Sequence, residues 1–250
     1  MAPDKTRSSS PVDRFARATA PTWLPAPIEA PAPSTVRFFD SAISVFPAVR
    51  LPLRSMLVES PTMAILVSPI GRHSELAAID GKLCVLVAPS LFHHRRLEHA
   101  IATLAPRELW GPPGLSRKLP HFAEARVFGV DPWPHDDVLS FAIVEGAPAR
   151  NEVVFFHRPS RTLYTADLAL AIMEPEGLAT KIALHAAGVY KRFGVARAWK
   201  RWIEDPVAFR RSIDRILAWD FDRLAMAHGE IVERGAREQL FVALRERGLI

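Results

Sequence analysis

Three short segments place metal-binding or anion-binding residue types directly after strand-like runs. His93 and His94 follow the run Leu83–Ala88 through Pro89, Ser90, Leu91 and Phe92, just ahead of a helical pattern. Asp167 follows the run Thr162–Ala166, and His228 follows the run Arg223–Ala227. Layered α/β proteins commonly carry their sites at the carboxyl ends of strands. If these ends share one rim, His93 or His94, Asp167 and His228 converge. Neutral imidazole nitrogens and a carboxylate oxygen suit one zinc or iron ion. Such an ion lowers the pKa of a water ligand toward about 7 and aims it at an electrophile, with Asp167 in the orienting catalytic role.

The neighbours argue for different chemistry. Arg95 and Arg96 set two fixed positive charges beside the histidine pair, which disfavours a dication. At a helix N-terminus the same four residues favour an anion, through free amides and the partial positive charge of the helix. Two readings therefore stand side by side. One is a mononuclear, metal-dependent hydrolase acting on a small molecule. The other is a non-catalytic binding protein, with no metal, for an anionic ligand or partner. Purely structural roles are also open: His93–His94 as a helix cap, Asp167 as a turn acceptor, His228–Gly229 as a strand exit.

The remaining candidates read as scaffold. Of the nine histidines, His157 alternates with Phe155 in a strand that Glu152 opens, and His99 lies off the face of His94. His135–Asp136–Asp137 sits in a loop flanked by Pro132 and Pro134 and reads as a solvated turn. Cys84, mid-strand, reads as a small buried apolar residue. Trp199, Trp202 and Trp219 read as packing beneath the sheet. Ser68 and Ser90 each neighbour a proline at a strand end, but neither sits in a glycine-flanked elbow, and no glycine-rich phosphate loop occurs.

The elements that must position these residues follow from periodicity. Strands are expected at Arg54–Glu59, Met63–Val67, Leu83–Ala88, Glu108–Trp110, Ala125–Phe128, Val138–Val144, Glu152–His157, Thr162–Ala166 and Arg223–Ala227. The turn Arg158–Arg161 makes a hairpin of Glu152–His157 and Thr162–Ala166. Helices are expected at Arg72–Ile79, His94–Leu104, Thr180–Phe193, Pro206–Ala218 and Ala236–Arg247. Asp205–Pro206 starts the fourth, an acceptor followed by proline at the first helical position. Strands first, then strands alternating with helices, imply an α/β layered sandwich with outer helices.

Composition bounds the rest. The chain has 250 residues, 49% of them apolar and 24% charged, close to a globular average. No apolar run approaches the roughly 18 residues of a membrane span, so no membrane role is expected and the protein reads as soluble and cytoplasmic. A single cysteine excludes a disulfide framework and a multi-cysteine metal site. The net charge of +5 is spread along the chain, which argues against nucleic acid as a partner. Oligomeric state is not legible. Seven prolines among Ala, Ser and Thr mark residues 1–34 as a disordered tail, leaving 35–250 as one domain.

The order of these segments resembles the metallo-β-lactamase fold, an αββα sandwich. Leu66–Val67–Ser68–Pro69, Ala88 through His94, Pro112–Pro113–Gly114, Thr165–Ala166–Asp167 and Ala218–Trp219–Asp220 through His228–Gly229 are similar to an uncharacterised branch of it, a domain of unknown function. The resemblance spans about Phe46 to Leu244. It implies Asp167 as the metal-bridging aspartate and His228 as the final histidine. It also implies losses. Setting His94 on the last residue of a His-x-His-x-Asp-His loop puts His93 at the aspartate, Leu91 at the second histidine and Pro89 at the first. The histidine expected ahead of the bridging aspartate has no counterpart in Glu145–Glu152. A degenerate site with one metal ion at most, on His93, His94, Asp167 and His228, is what remains.

Overall fold

Alternation along the strands sorts the apolar residues into three layers. In the computed structural model, which describes residues 34–46, 48–79 and 81–250, Ile65, Val67, Val85 and Val87 face one core while Ala64, Leu66, Cys84 and Leu86 face another. Val153, Phe155 and Tyr164 share the first core, and Val154, Phe156 and Leu163 face a third. Side chains two apart on a strand share a face, so each strand is apolar on both sides and is covered on both.

The elements run in the order β1 (Thr35–Phe46), β2 (Val49–Glu59), β3 (Met63–Val67), α1 (His73–Ala77), β4 (Leu83–Val87), α2 (Leu97–Leu104), β5 (Glu108–Gly111), α3 (Leu115–Lys118) and β6 (Arg126–Val127). Then come β7 (Ser140–Ile143), β8 (Val153–His157), β9 (Thr162–Thr165), β10 (Leu170–Ala171), α4 (Leu178–Ala187), β11 (Phe193–Gly194), α5 (Trp199–Trp202), α6 (Pro206–Leu217), β12 (Arg223–Met226) and α7 (Ala236–Glu246). Strands β1 to β6 form one sheet in sequence order, and the second sheet has the order β12-β9-β8-β7. The core shared by Met56, Val85, Phe155, Tyr164 and Ala225 lies between the sheets. Leu76, Leu97, Ala100 and Leu115 of α1 to α3 cover the first sheet, and Leu184, Phe209, Ile213 and Leu240 of α4, α6 and α7 cover the second. This is the expected αββα sandwich.

The hairpin pairs Phe155 with Tyr164 and His157 with Thr162, as expected. Asp205 caps α6, its carboxylate accepting from the amides of Val207 and Ala208 at 3.0 Å. Several boundaries differ from expectation: β2 already begins at Val49, ahead of Arg54, and two helices are shorter at one end. Helix α2 begins at Leu97, because His93 to Arg96 form a turn. Helix α4 stops at Ala187 and not at Phe193, because Gly188 adopts a left-handed φ of 74° and its amide turns back to the carbonyls of Leu184 and His185. The expected tail, residues 1–34, falls outside the described residues except for Ser34. No helix among the described residues is long and apolar enough to cross a membrane.

Candidate metal centre

Parallel pairing sets up half of the site. Strands β9 and β12 run side by side with Thr165 opposite Met226. The ladder continues through the Ala227 amide, which donates to the Thr165 carbonyl at 2.9 Å. Asp167 and His228 therefore leave the sheet next to each other. A neighbouring strand end supplies His93. After β4 the chain turns through Pro89 and Ser90, whose hydroxyl accepts from the amides of Phe92 and His93. The Ser68 hydroxyl, just past β3, lies 3.0 Å from His93 Nδ1.

Each side chain is also held from behind. His228 Nδ1 donates to the Pro52 carbonyl at 2.7 Å, which leaves Nε2 facing the site with its lone pair when the ring is neutral. Gly229 follows with φ 118°, and a Cβ there would sit 2.2 Å from the Ala171 carbonyl oxygen, so only glycine allows β10 to pass this close. Glu152 is fully buried at the start of β8, and its carboxylate accepts from the amides of Ala166, Asp167 and Leu168 at 2.8–3.1 Å. The Trp199 indole donates to the Asp167 carbonyl at 3.1 Å.

The result is a tight cluster. His93 Nε2 lies 3.6 Å from Asp167 Oδ2, and His228 Nε2 lies 3.6 Å from Asp167 Oδ1. One ligand atom from each of the three residues falls within 4.8 Å of the others. The side chains of His93, His228 and Asp167 are only 5%, 6% and 15% exposed. Arg150 joins them: its Nη2 is 2.5 Å from Asp167 Oδ2. That contact is an ion pair, and the buried Arg150 Nε has no hydrogen-bond partner among the described residues.

Charge follows from this packing. Burial would push the Asp167 carboxyl up, but His93, His228 and Arg150 outweigh it and hold the group well below the ordinary carboxylate range. Burial pushes His93 down, against the pull of Asp167. For His228 burial works the same way, but its bonds to Asp167 and to the Pro52 carbonyl win and raise it.

His94 lies outside this cluster. It is half-buried, and burial together with nearby Lys118 and Arg95 pushes it down. Arg95 reaches the Ser44 carbonyl, and Arg96 packs beside Gly71, so the two arginines separate. His157 is buried between the hydroxyls of Ser34 and Ser160, and His99 is exposed, both as read from sequence. His135 differs from the expected solvated turn: it is largely buried against Trp133, with Nε2 3.5 Å from Glu108. Cys84 is buried and its thiol is pushed up to about 12 by burial. Arg150 and the function of Glu152 escape sequence reasoning. Arg150 sits in a turn without periodicity, and Glu152 shows its purpose only once the Asp167 loop folds over it.

A zinc ion with bonds near 2.0–2.2 Å holds neighbouring ligand atoms roughly 3–3.5 Å apart. Two imidazoles at 3.6 Å from the two oxygens of one carboxylate meet that requirement after small rotamer changes. The donor set fits a single ion.

No protein-family model and no curated protein matches the sequence. Solved structures do. The DIM-1 metallo-β-lactamase superposes with a TM-score of 0.56 at 13% identity, over 84% of this chain and 93% of the other. The metallo-β-lactamase from Hirschia baltica gives 0.56 at 12% identity, over 83% and 93%. That from Erythrobacter litoralis gives 0.55 at 14%, over 84% and 92%. With two face-to-face sheets and helices outside them, this chain has the metallo-β-lactamase fold.

Proposed function

We propose that the protein is a hydrolase-like member of this fold that holds one metal ion, zinc or iron, on His93, Asp167 and His228 and acts on a small molecule. The observation that carries this reading is the convergence of three donors from distant strand ends within 4.8 Å, with the His228 tautomer fixed from behind. A bound ion would supply Lewis acidity and acidify a water ligand. The chain's own groups do the positioning. Pro52 aims His228, Ser68 aims His93, and Glu152 fixes the loop that carries Asp167, whose carboxylate His93, His228 and Arg150 keep ionised. In the hydrolytic reading Asp167 orients the attacking water. Residues 35–250 form the functional domain. Elemental analysis of protein purified without chelator tests the reading. Close to one zinc, iron or manganese per chain, falling at least tenfold in His228→Ala, is expected. Metal-free wild type overturns it.

A second reading has its own observation. His94, Arg95 and Lys118 crowd together at the edge of the cluster, a positive rim suited to a small anion and requiring no metal. Thermal stabilisation by inorganic phosphate that survives chelator and disappears in Arg95→Ala/Lys118→Ala would favour it. Stabilisation by divalent metal alone counts against it.

A further inference from the structure

Arg150 is built into the cluster from several directions. Its guanidinium carbon lies 4.1 Å from the Phe92 ring centroid and 4.1 Å from the Trp202 centroid. Lys118 Nζ lies 4.0 Å from the Phe92 centroid, so cation, ring, cation and ring form one stack beside the site. The Arg150 carbonyl accepts from the Leu91 amide at 3.2 Å, which ties its turn to the loop carrying His93. With its side chain 11% exposed, the guanidinium has lost most of its hydration and needs a counter-charge. Among the described residues that counter-charge is Asp167, the same carboxylate a metal ion would use.

One negative charge thus has two claimants. Aromatic faces on both sides lower the cost of keeping a desolvated guanidinium in place. A dication entering between His93, Asp167 and His228 meets this fixed positive charge at 2.5 Å from its own ligand. We propose that Arg150 is an internal cation that competes with the metal for Asp167: it neutralises the cluster when no metal is bound, and it weakens metal binding when one is. This rests on the reading of His93, Asp167 and His228 as the metal donors.

The test compares zinc affinity of the chelator-stripped full chain, by competition with a chromophoric chelator, in wild type, Arg150→Met and Arg150→Lys. Methionine keeps the packing between Phe92 and Trp202 without charge, and lysine keeps the charge without the planar stack. Arg150→Met should bind zinc at least tenfold more tightly than wild type, and Arg150→Lys within about threefold of it. Adding His228→Ala to Arg150→Met should abolish the gain, which locates the ion. If Arg150→Met folds only with zinc, zinc titration of its folding followed by circular dichroism gives the affinity, with the same expected tightening. If it does not fold at all, Arg150→Gln takes its place with the same expected tightening. Equal or weaker zinc binding in the neutral variant overturns the proposal and makes Arg150 an orienting residue for Asp167. Metal-free wild type with a zinc-binding Arg150→Met refutes only the resident-metal reading. A zinc-binding wild type with no gain in Arg150→Met refutes only the competition, and no binding in either refutes both.

Discussion

Glu152 shows how a residue that touches no ligand can decide a site. Its two oxygens take three amides of the loop around Asp167, and its burial and the nearby Asp167 carboxylate push it up to about 7 against the pull of those amides. Replacing it with leucine leaves three buried donors unpaired, each worth roughly 1–3 kcal/mol. Glu152→Leu should therefore lose about 3–5 kcal/mol in urea unfolding, and Glu152→Gln about half as much. The glutamine keeps the acceptor that serves Ala166 and Leu168 but turns a donor toward Asp167. A loss below about 1 kcal/mol in the leucine variant would mean that the loop holds itself. At this scale the meeting of Asp167 and His228 was legible from position, because each comes just after a strand, whereas the choice of His93 over His94 was not, because both lie in the turn beyond β4. Arg150 was not, since a turn has no period and no residue type in Glu145–Glu152 announces that its side chain reaches a carboxylate two strands away.

Among the elements, those with strong alternation or clear caps were legible and those without were not. Strand β4 reads off Cys84, Val85, Leu86 and Val87, all buried. Strand β1 does not read, because Arg37, Asp40 and Ser44 interrupt it and most of it is only half-buried at a sheet edge. The short pair β10–β11 is set by tertiary contact: Leu170 meets Gly194, and the Ala171 amide donates to the His228 carbonyl at 3.1 Å. Gly229 is the pivot of that contact. In Gly229→Ala the new methyl collides with the Ala171 carbonyl at 2.2 Å, and φ of 118° is hostile to any side chain. The variant should lose at least about 3 kcal/mol in urea unfolding and lose metal together with stability, because His228 moves with the strand end. Wild-type stability in that variant would show that the backbone shifts there at little cost.

For the whole molecule, pH acts through a group far from the site. His157 sits neutral and buried at the end of β8, one ring nitrogen 2.7 Å from the Ser160 hydroxyl and the other 2.9 Å from Ser34, and burial pushes it down to about 4. Unfolded, it titrates near the ordinary 6.5. The folded value is the lower one, so the unfolded chain binds the extra proton. The associated stability is complete above about pH 6.5 and is lost as pH falls toward 4. The loss amounts to as much as about 3 kcal/mol. In His157→Gln the decline between these pH values should be shallower by that amount in denaturant titrations. Parallel curves for the two proteins would show that the fold relaxes to admit the charge.

The side-by-side arrangement of β9 and β12 also has a kinetic meaning. Between them in the chain come α4, α5 and α6, so the partner of Thr162–Thr165 is not made until long after that strand leaves the ribosome. Pairings of such separation close late, after local helices and hairpins have formed. During synthesis Asp167 and Arg150 can meet early, since β8 and β9 form a hairpin, whereas His228 arrives only near the end. A nascent chain would therefore hold its acid and its guanidinium together before the last imidazole exists to draw a metal in.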